Sequence, residues 1–174
     1  GGITNLEVTL RTQHGLKAIT LIRDQVKGAN VGVGTVCNAT EFDAAVDAGA
    51  NFVVSPGQSN ALFERALVTN IPFLPGAVTA TEVMAAKEAG FKVLKFFPAS
   101  TSGGAAAIKA FAGPFAELQF VPTGGINLDN AGSYLSLSNV RAVGGSWLTP
   151  ADAIQNGQWE HITQVAREAS QLGA

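Results

Sequence analysis

One lysine stands near the centre of an apolar, aromatic stretch, Phe91-Lys92-Val93-Leu94-Lys95-Phe96-Phe97-Pro98-Ala99. In an extended chain, alternate side chains point to opposite faces. Lys95 then shares a face with Phe91, Val93 and Phe97, and Lys92 points the other way. Such neighbours solvate an ammonium poorly, and desolvation favours the neutral amine. A neutral amine is a nucleophile that condenses with carbonyl substrates to a Schiff base. The plain alternative is a lysine that snorkels its amine out of a strand end.

Other residues extend this chemistry. Glu7 interrupts the strand candidate Ile3 to Leu10, and Arg11 closes it. With Leu6, Val8 and Leu10 turned toward covering helices, Glu7 and Arg11 fall on the opposite, inward face. A charge there is costly unless it is paired or used. Glu7 fits a proton shuttle, or a structural partner of Arg11 or Lys95. Arg11 offers a planar fork suited to a carboxylate, or pairs with a neighbouring acid. Gly124-Gly125 and Gly144-Gly145-Ser146 each follow a strand candidate directly. Glycine pairs admit backbone N–H groups to an anion, and a helix amino terminus adds to the attraction, so the two loops suit a phosphate. Thr35 and Thr123 close strands and could donate to substrate oxygens, although threonine there also serves as a plain β-former. Cys37 is expected to pack, and Trp147, beside the second glycine pair, to pack or to wall the pocket.

The elements that must position these residues repeat along the chain. Strand candidates begin near residues 3, 31, 51, 71, 91, 118 and 140, and a helix follows each. Asn38 to Glu41 and Thr79 to Glu82 have the spacing of capping boxes, and Gly49 and Gly90 stop the helices they open. Pro72 and Pro75 mark the fourth strand, Ile71 to Gly76, as short and irregular. The tail, about Ala151 to Leu172, reads as helical and amphipathic. Strand, helix, strand at this rhythm predicts a parallel sheet covered by helices. Polar residue types close many of the strands: Arg11, Thr35, Pro56, Lys95, Thr123 and Ser146. A barrel gathers such ends at one mouth, and its last two loops commonly hold phosphate. The expectation is therefore an α/β chain of the TIM (β/α)8 barrel class, a single domain over residues 1–174 with seven strands visible.

Bulk properties narrow the partners. The chain has 174 residues, 47% hydrophobic and 14% charged, with a formal net charge of −2. A chain this long buries roughly 70% of its unfolded surface. No basic stripe or run of like charge points to nucleic acid or an anionic membrane, and no apolar run approaches the ~20 residues of a membrane span. Cys37 is the only cysteine, which excludes a disulfide within the chain and suits a reducing, cytoplasmic setting. His14 and His161 stand far apart and belong to no cluster with metal-ligand spacing, so no metal is expected.

Six motifs in order resemble the KDPG/KHG aldolases: Glu7-Val8-Thr9-Leu10-Arg11-Thr12, Gly32-Val33-Gly34-Thr35-Val36, Ser55-Pro56-Gly57, Lys95-Phe96-Phe97-Pro98-Ala99, Pro122-Thr123-Gly124-Gly125-Ile126 and Gly144-Gly145-Ser146-Trp147-Leu148. The resemblance implies a class I aldolase that cleaves 2-keto-3-deoxy-6-phosphogluconate to pyruvate and glyceraldehyde 3-phosphate without a cofactor. It implies that Lys95 forms the Schiff base and that Glu7 is the general acid/base. It implies that Arg11 and Thr35 hold the pyruvyl carboxylate end and that Thr123 lies near the aldehyde-derived hydroxyl. Gly124, Gly125, Gly144, Gly145 and Ser146 match the phosphate site, and Pro56 and Phe97 match pocket walls. The family also implies a homotrimer and another strand-helix unit before Gly1, so this chain is expected to lack the first unit of the barrel.

Rival readings remain at this level. One is an aldolase for 4-hydroxy-2-oxoglutarate or the isomeric 2-keto-3-deoxy-6-phosphogalactonate. Another is a barrel isomerase with Glu7 as its base. A third is a non-catalytic barrel that binds sugar phosphates.

Overall fold

β-Branched and aromatic runs bounded by glycine and proline become strands in the computed structural model, which describes residues 1–172. The last two residues of the expected domain span lie outside the described part. The chain divides into two compact units, Thr4–Lys95 and a second comprising Gly1–Ile3 with the chain from Phe96 onward.

In the first unit, β1 (Asn5–Thr9), β2 (Asn30–Gly34), β3 (Phe52–Val54) and β4 (Phe73–Leu74) form a parallel sheet in sequence order. The register sets Glu7 beside Gly32 and Thr9 beside Gly34. Val31, Val33 and Val53 are fully buried, as β-branched residues on a covered sheet should be. The connecting helices are α1 (Gly15–Gln25), α2 (Ala39–Asp47), α3 (Asn60–Thr69) and α4 (Ala80–Glu88). Ile19, Phe42, Ala45, Val83 and Ala86 bury their apolar faces completely. Phe73 meets Phe42 and Phe91 edge-on at 5.5 and 5.6 Å between ring centroids, a favoured aromatic geometry.

Local signals set the helix ends. Asn38 Oδ1 accepts from the Glu41 N–H at 2.9 Å, but Glu41 Oε2 accepts from Cys37 N–H at 2.6 Å, one residue before the expected partner. At α4 the box is complete: Thr79 Oγ1 accepts from Glu82 N–H, and Glu82 Oε2 accepts from Thr79 N–H at 2.8 Å. Burial pushes the Glu82 carboxyl up. Hydrogen bonds from the Val78 and Thr79 backbones and the Thr79 side chain outweigh it and hold the group below the usual carboxylate range. β4 is only two residues long, as its prolines required. They lack donors, yet the Pro72 carbonyl accepts from Val53 N–H at 2.9 Å and the Pro75 carbonyl from Lys95 N–H at 2.8 Å.

β5 (Val93–Phe96) carries the chain into the second unit, which contains α5 (Gly104–Phe111), β6 (Gln119–Pro122), α6 (Leu128–Leu135), α7 (Ala151–Gln155) and α8 (Trp159–Ser170). Phe96, Phe111 and Phe120 form its aromatic core, with centroids 5.6 to 6.4 Å apart. One expectation is corrected here, and another is refined. Val140 to Val143 is not a continuous strand and makes isolated parallel bridges at Val140 and Gly144. Its path still follows β6, because the Asn139 carbonyl accepts from Phe120 N–H and Gly144 N–H donates to the Pro122 carbonyl. The tail is two helices, interrupted at Gly157, whose φ of 65° is left-handed and incompatible with helix propagation.

Candidate active site

Lys95 lies on β5, with Leu94 and Phe96 completely buried on either side of it in sequence. Its backbone is fixed on the residues after β4: Lys95 N–H donates to the Pro75 carbonyl at 2.8 Å, and the Lys95 carbonyl accepts from Ala77 N–H at 2.9 Å. The residue is only 7% exposed, whereas Lys92 is exposed, as the alternation requires. The Lys95 amine does not escape to solvent. It donates to Glu7 Oε1 at 3.1 Å, across 88 residues of sequence. A buried ammonium is costly unless paired and hydrogen-bonded, and Glu7 supplies that pair. The Glu7 side chain keeps 28% of its exposure, so the pair is buried on the lysine side and open on the carboxylate side.

The other strand ends of this unit carry the remaining expected residues. Arg11 is exposed in the turn that follows β1. Thr35 follows β2 with φ 63°, a left-handed conformation that is a genuine outlier for a β-branched residue. Strain of this kind costs on the order of 1–3 kcal/mol and collects at functional sites. The threonine's type gave no sign of it. Pro56 sits in the turn after β3, and a Cβ at Gly76 would meet its carbonyl oxygen at 2.1 Å. Gly76 therefore passes directly over the Pro56 peptide, and its N–H donates to the Gly57 carbonyl at 2.9 Å. Cys37 does not pack as expected. It is exposed, and partial desolvation followed by the Glu41 carboxylate pushes its thiol up.

In the second unit the two glycine-bearing loops lie together, since Thr123 and Gly144 form a bridge. Both loops are shaped by side chains resting on glycine. A Cβ at Gly124 would meet the Phe97 ring at 3.1 Å, and one at Gly125 the Ser100 hydroxyl at 2.1 Å. At Gly144 it would meet the Thr123 methyl at 2.6 Å, and at Gly145 the Trp147 ring at 1.8 Å. Gly124 and Gly125 also have φ of 93° and 75°, which only glycine adopts readily. Ser146 is exposed at the start of a single 3₁₀ turn, Ser146–Leu148. Thr123 Oγ1 and Trp147 Nε1 are buried with no hydrogen-bond partner among the described residues. Asn130 Nδ2 donates to the Gly125 carbonyl at 2.9 Å and ties the first loop to the opening turn of α6. Ser100, against Gly125, is a polar neighbour that its sequence context did not single out.

Among the described residues, no helix is long and apolar enough to cross a membrane, and no group of three or more His, Cys, Asp or Glu could hold a metal ion. Residues 1–165 match the family model described as KDPG and KHG aldolase. This chain belongs to the KDPG and KHG aldolase family. It is 46% identical over 169 residues to the 2-dehydro-3-deoxy-phosphogluconate aldolase of Pseudomonas aeruginosa, covering 97% of this chain and 77% of that protein. The KDPG aldolase of Legionella pneumophila, solved with pyruvate captured at low pH as a covalent carbinolamine intermediate, superposes with a TM-score of 0.93 at 40% identity, covering 99% of this chain and 82% of that one. The 2-keto-3-deoxy-6-phosphogluconate aldolase of Zymomonas mobilis ZM4, solved with 3-phosphoglycerate, gives 0.90 at 42% identity, over 97% and 79%. The fold is accordingly α/β of the TIM-barrel-like kind, with parallel strands alternating with helices.

Proposed function

We propose that this protein is a class I aldolase that cleaves 2-keto-3-deoxy-6-phosphogluconate to pyruvate and glyceraldehyde 3-phosphate, with Lys95 as nucleophile and Glu7 as general acid/base. The 3.1 Å contact between Lys95 Nζ and Glu7 Oε1 carries this reading. Glu7 is within reach of the proton that the ammonium must lose before it attacks. Lys95 adds to the ketone carbon, and loss of water gives an iminium. The iminium withdraws electrons, so the bond beyond the adjacent carbon breaks to an enamine rather than a free carbanion. Glu7 takes the proton from the hydroxyl that becomes the aldehyde. The aldehyde leaves, the enamine is reprotonated, and water releases pyruvate and the free lysine. These steps call for no metal or organic cofactor.

Arg11 and Thr35 are assigned to the keto-acid carboxylate, and Pro56 and Phe97 to the pocket walls. Thr123 is assigned to the aldehyde-derived hydroxyl, and its unpartnered buried Oγ1 supports this. Gly124, Gly125, Gly144, Gly145 and Ser146 are assigned to the phosphate, supported by a loop backbone that admits no side chains there. The reading includes a cytoplasmic homotrimer. The exposed apolar residues Leu67 and Val68 on α3 and Met84 on α4 support self-association, which light scattering on the purified protein tests. The activity itself is tested by following pyruvate release from 2-keto-3-deoxy-6-phosphogluconate and from 4-hydroxy-2-oxoglutarate. Faster turnover of the phosphorylated substrate is expected. Binding of either compound without turnover would contradict the proposal.

A further inference from the structure

The strand beside Glu7 has an unusual face. Along β2, Val31 and Val33 point to one side and are completely buried. Gly32 and Gly34 point to the other, so beyond Asn30 that face of the strand carries no side chain. Both vacated volumes are filled by neighbours. A Cβ at Gly32 would meet the Phe52 ring at 2.1 to 2.3 Å. A Cβ at Gly34 would meet Glu7 Oε1 at 2.0 Å, and its Cδ and Cγ at 2.7 Å. The register pairs Glu7 with Gly32, so its side chain reaches along the strand to lie over Gly34. The same Oε1 accepts from Lys95 Nζ.

Backbone freedom does not account for this glycine. Gly34 is absent from the left-handed residues, its carbonyl accepts from Leu10 N–H at 2.9 Å, and any residue could adopt its conformation. The three atoms nearest to a Cβ there all belong to one side chain, that of Glu7.

We propose that Gly34 is a positioning residue for the acid/base carboxylate: the volume left by its missing side chain is the seat of Glu7 and fixes the approach of Oε1 to Lys95. This inference rests on the roles proposed for Glu7 and Lys95. An alanine at position 34 would displace the carboxylate without removing any charged group of the site. Loss of proton transfer with retained binding is the expected result.

The test compares Gly34→Ala, Glu7→Gln and the double variant in the intact protein. Solvent exchange of the pyruvate methyl protons is followed by NMR alongside cleavage kinetics. Gly34→Ala should lower exchange and kcat by at least about tenfold, toward the ~10²–10⁴ expected for loss of the acid/base, with KM nearly unchanged. Added to Glu7→Gln, it should cost little more, since residues acting as one unit are not additive. Multiplying losses, or exchange at the parental rate in Gly34→Ala, would overturn the inference. Parental activity in Glu7→Gln alone would instead overturn the role of Glu7, and the inference with it. A folding control uses Glu7→Ala, which removes the colliding atoms. Gly34→Ala should lower the melting temperature of the parent but not that of Glu7→Ala. Equal destabilisation in both backgrounds would show that Gly34 serves the fold and not the carboxylate.

Discussion

The Lys95 region of the first unit and the glycine-bearing loops of the second are built in opposite ways. At Lys95, two charged side chains from strands of different sheets, β1 and β5, meet at 3.1 Å. In the loops, the glycines leave space that neighbouring groups such as Thr123, Ser100 and Trp147 fill. The first region fits covalent chemistry, which needs a particular atom at a particular place. The second fits recognition of an anion, which needs donors at a surface that can come close. The two regions should therefore fail differently: the first by losing a functional group, the second by gaining bulk.

The largest effect should come from the first. Lys95→Ala and Lys95→Arg should reduce cleavage to background, because neither side chain forms a Schiff base; measurable turnover in a purified variant would break the contrast. Glu7→Gln should slow cleavage by ~10²–10⁴ while Lys95 still forms its adduct. In the second region, Gly145→Ala brings a Cβ into the Trp147 ring, and thermal melting should show about 1–3 kcal/mol of destabilisation from overpacking. Ser146→Ala should raise KM about tenfold for phosphorylated substrate, with kcat held, as expected for loss of one hydrogen bond to a charged group. Equal weakening toward an unphosphorylated keto acid would remove Ser146 from the phosphate end. The smallest effect belongs to a helix cap with no proposed part in this chemistry. The Glu82 carboxyl is held low in the folded state, so its contribution is present at neutral pH and lost as pH falls below the ordinary carboxylate range. Glu82→Gln should remove that acid-limb loss of stability, at most about 1 kcal/mol for a screened cap, and leave kcat unchanged.

What could be read from the sequence follows the same division. Lys95 and Glu7 stood out because charged residues inside apolar strands are costly, and the structure pairs them. The irregular fourth strand was legible because proline cannot donate, and the cap at Thr79 because it is local. Other features depend on tertiary geometry. The left-handed backbone at Thr35 is imposed by its surroundings against the preference of a β-branched residue. The ladder at Val140 breaks although its residues favour strands. The helical tail was legible, but its division at Gly157 depends on the left-handed backbone there. Gly34 was visible only as part of a motif, because its meaning is the side chain from another strand that occupies its place.

The central claim is that Lys95 alone becomes covalently bound to substrate. Incubation with pyruvate and borohydride, followed by peptide mapping by mass spectrometry, tests it directly. The account predicts one reduced pyruvyl adduct, on Lys95, with Lys17, Lys27, Lys87, Lys92 and Lys109 unmodified, and no adduct in Lys95→Ala. An adduct on another lysine, or none in folded and competent protein, would contradict it.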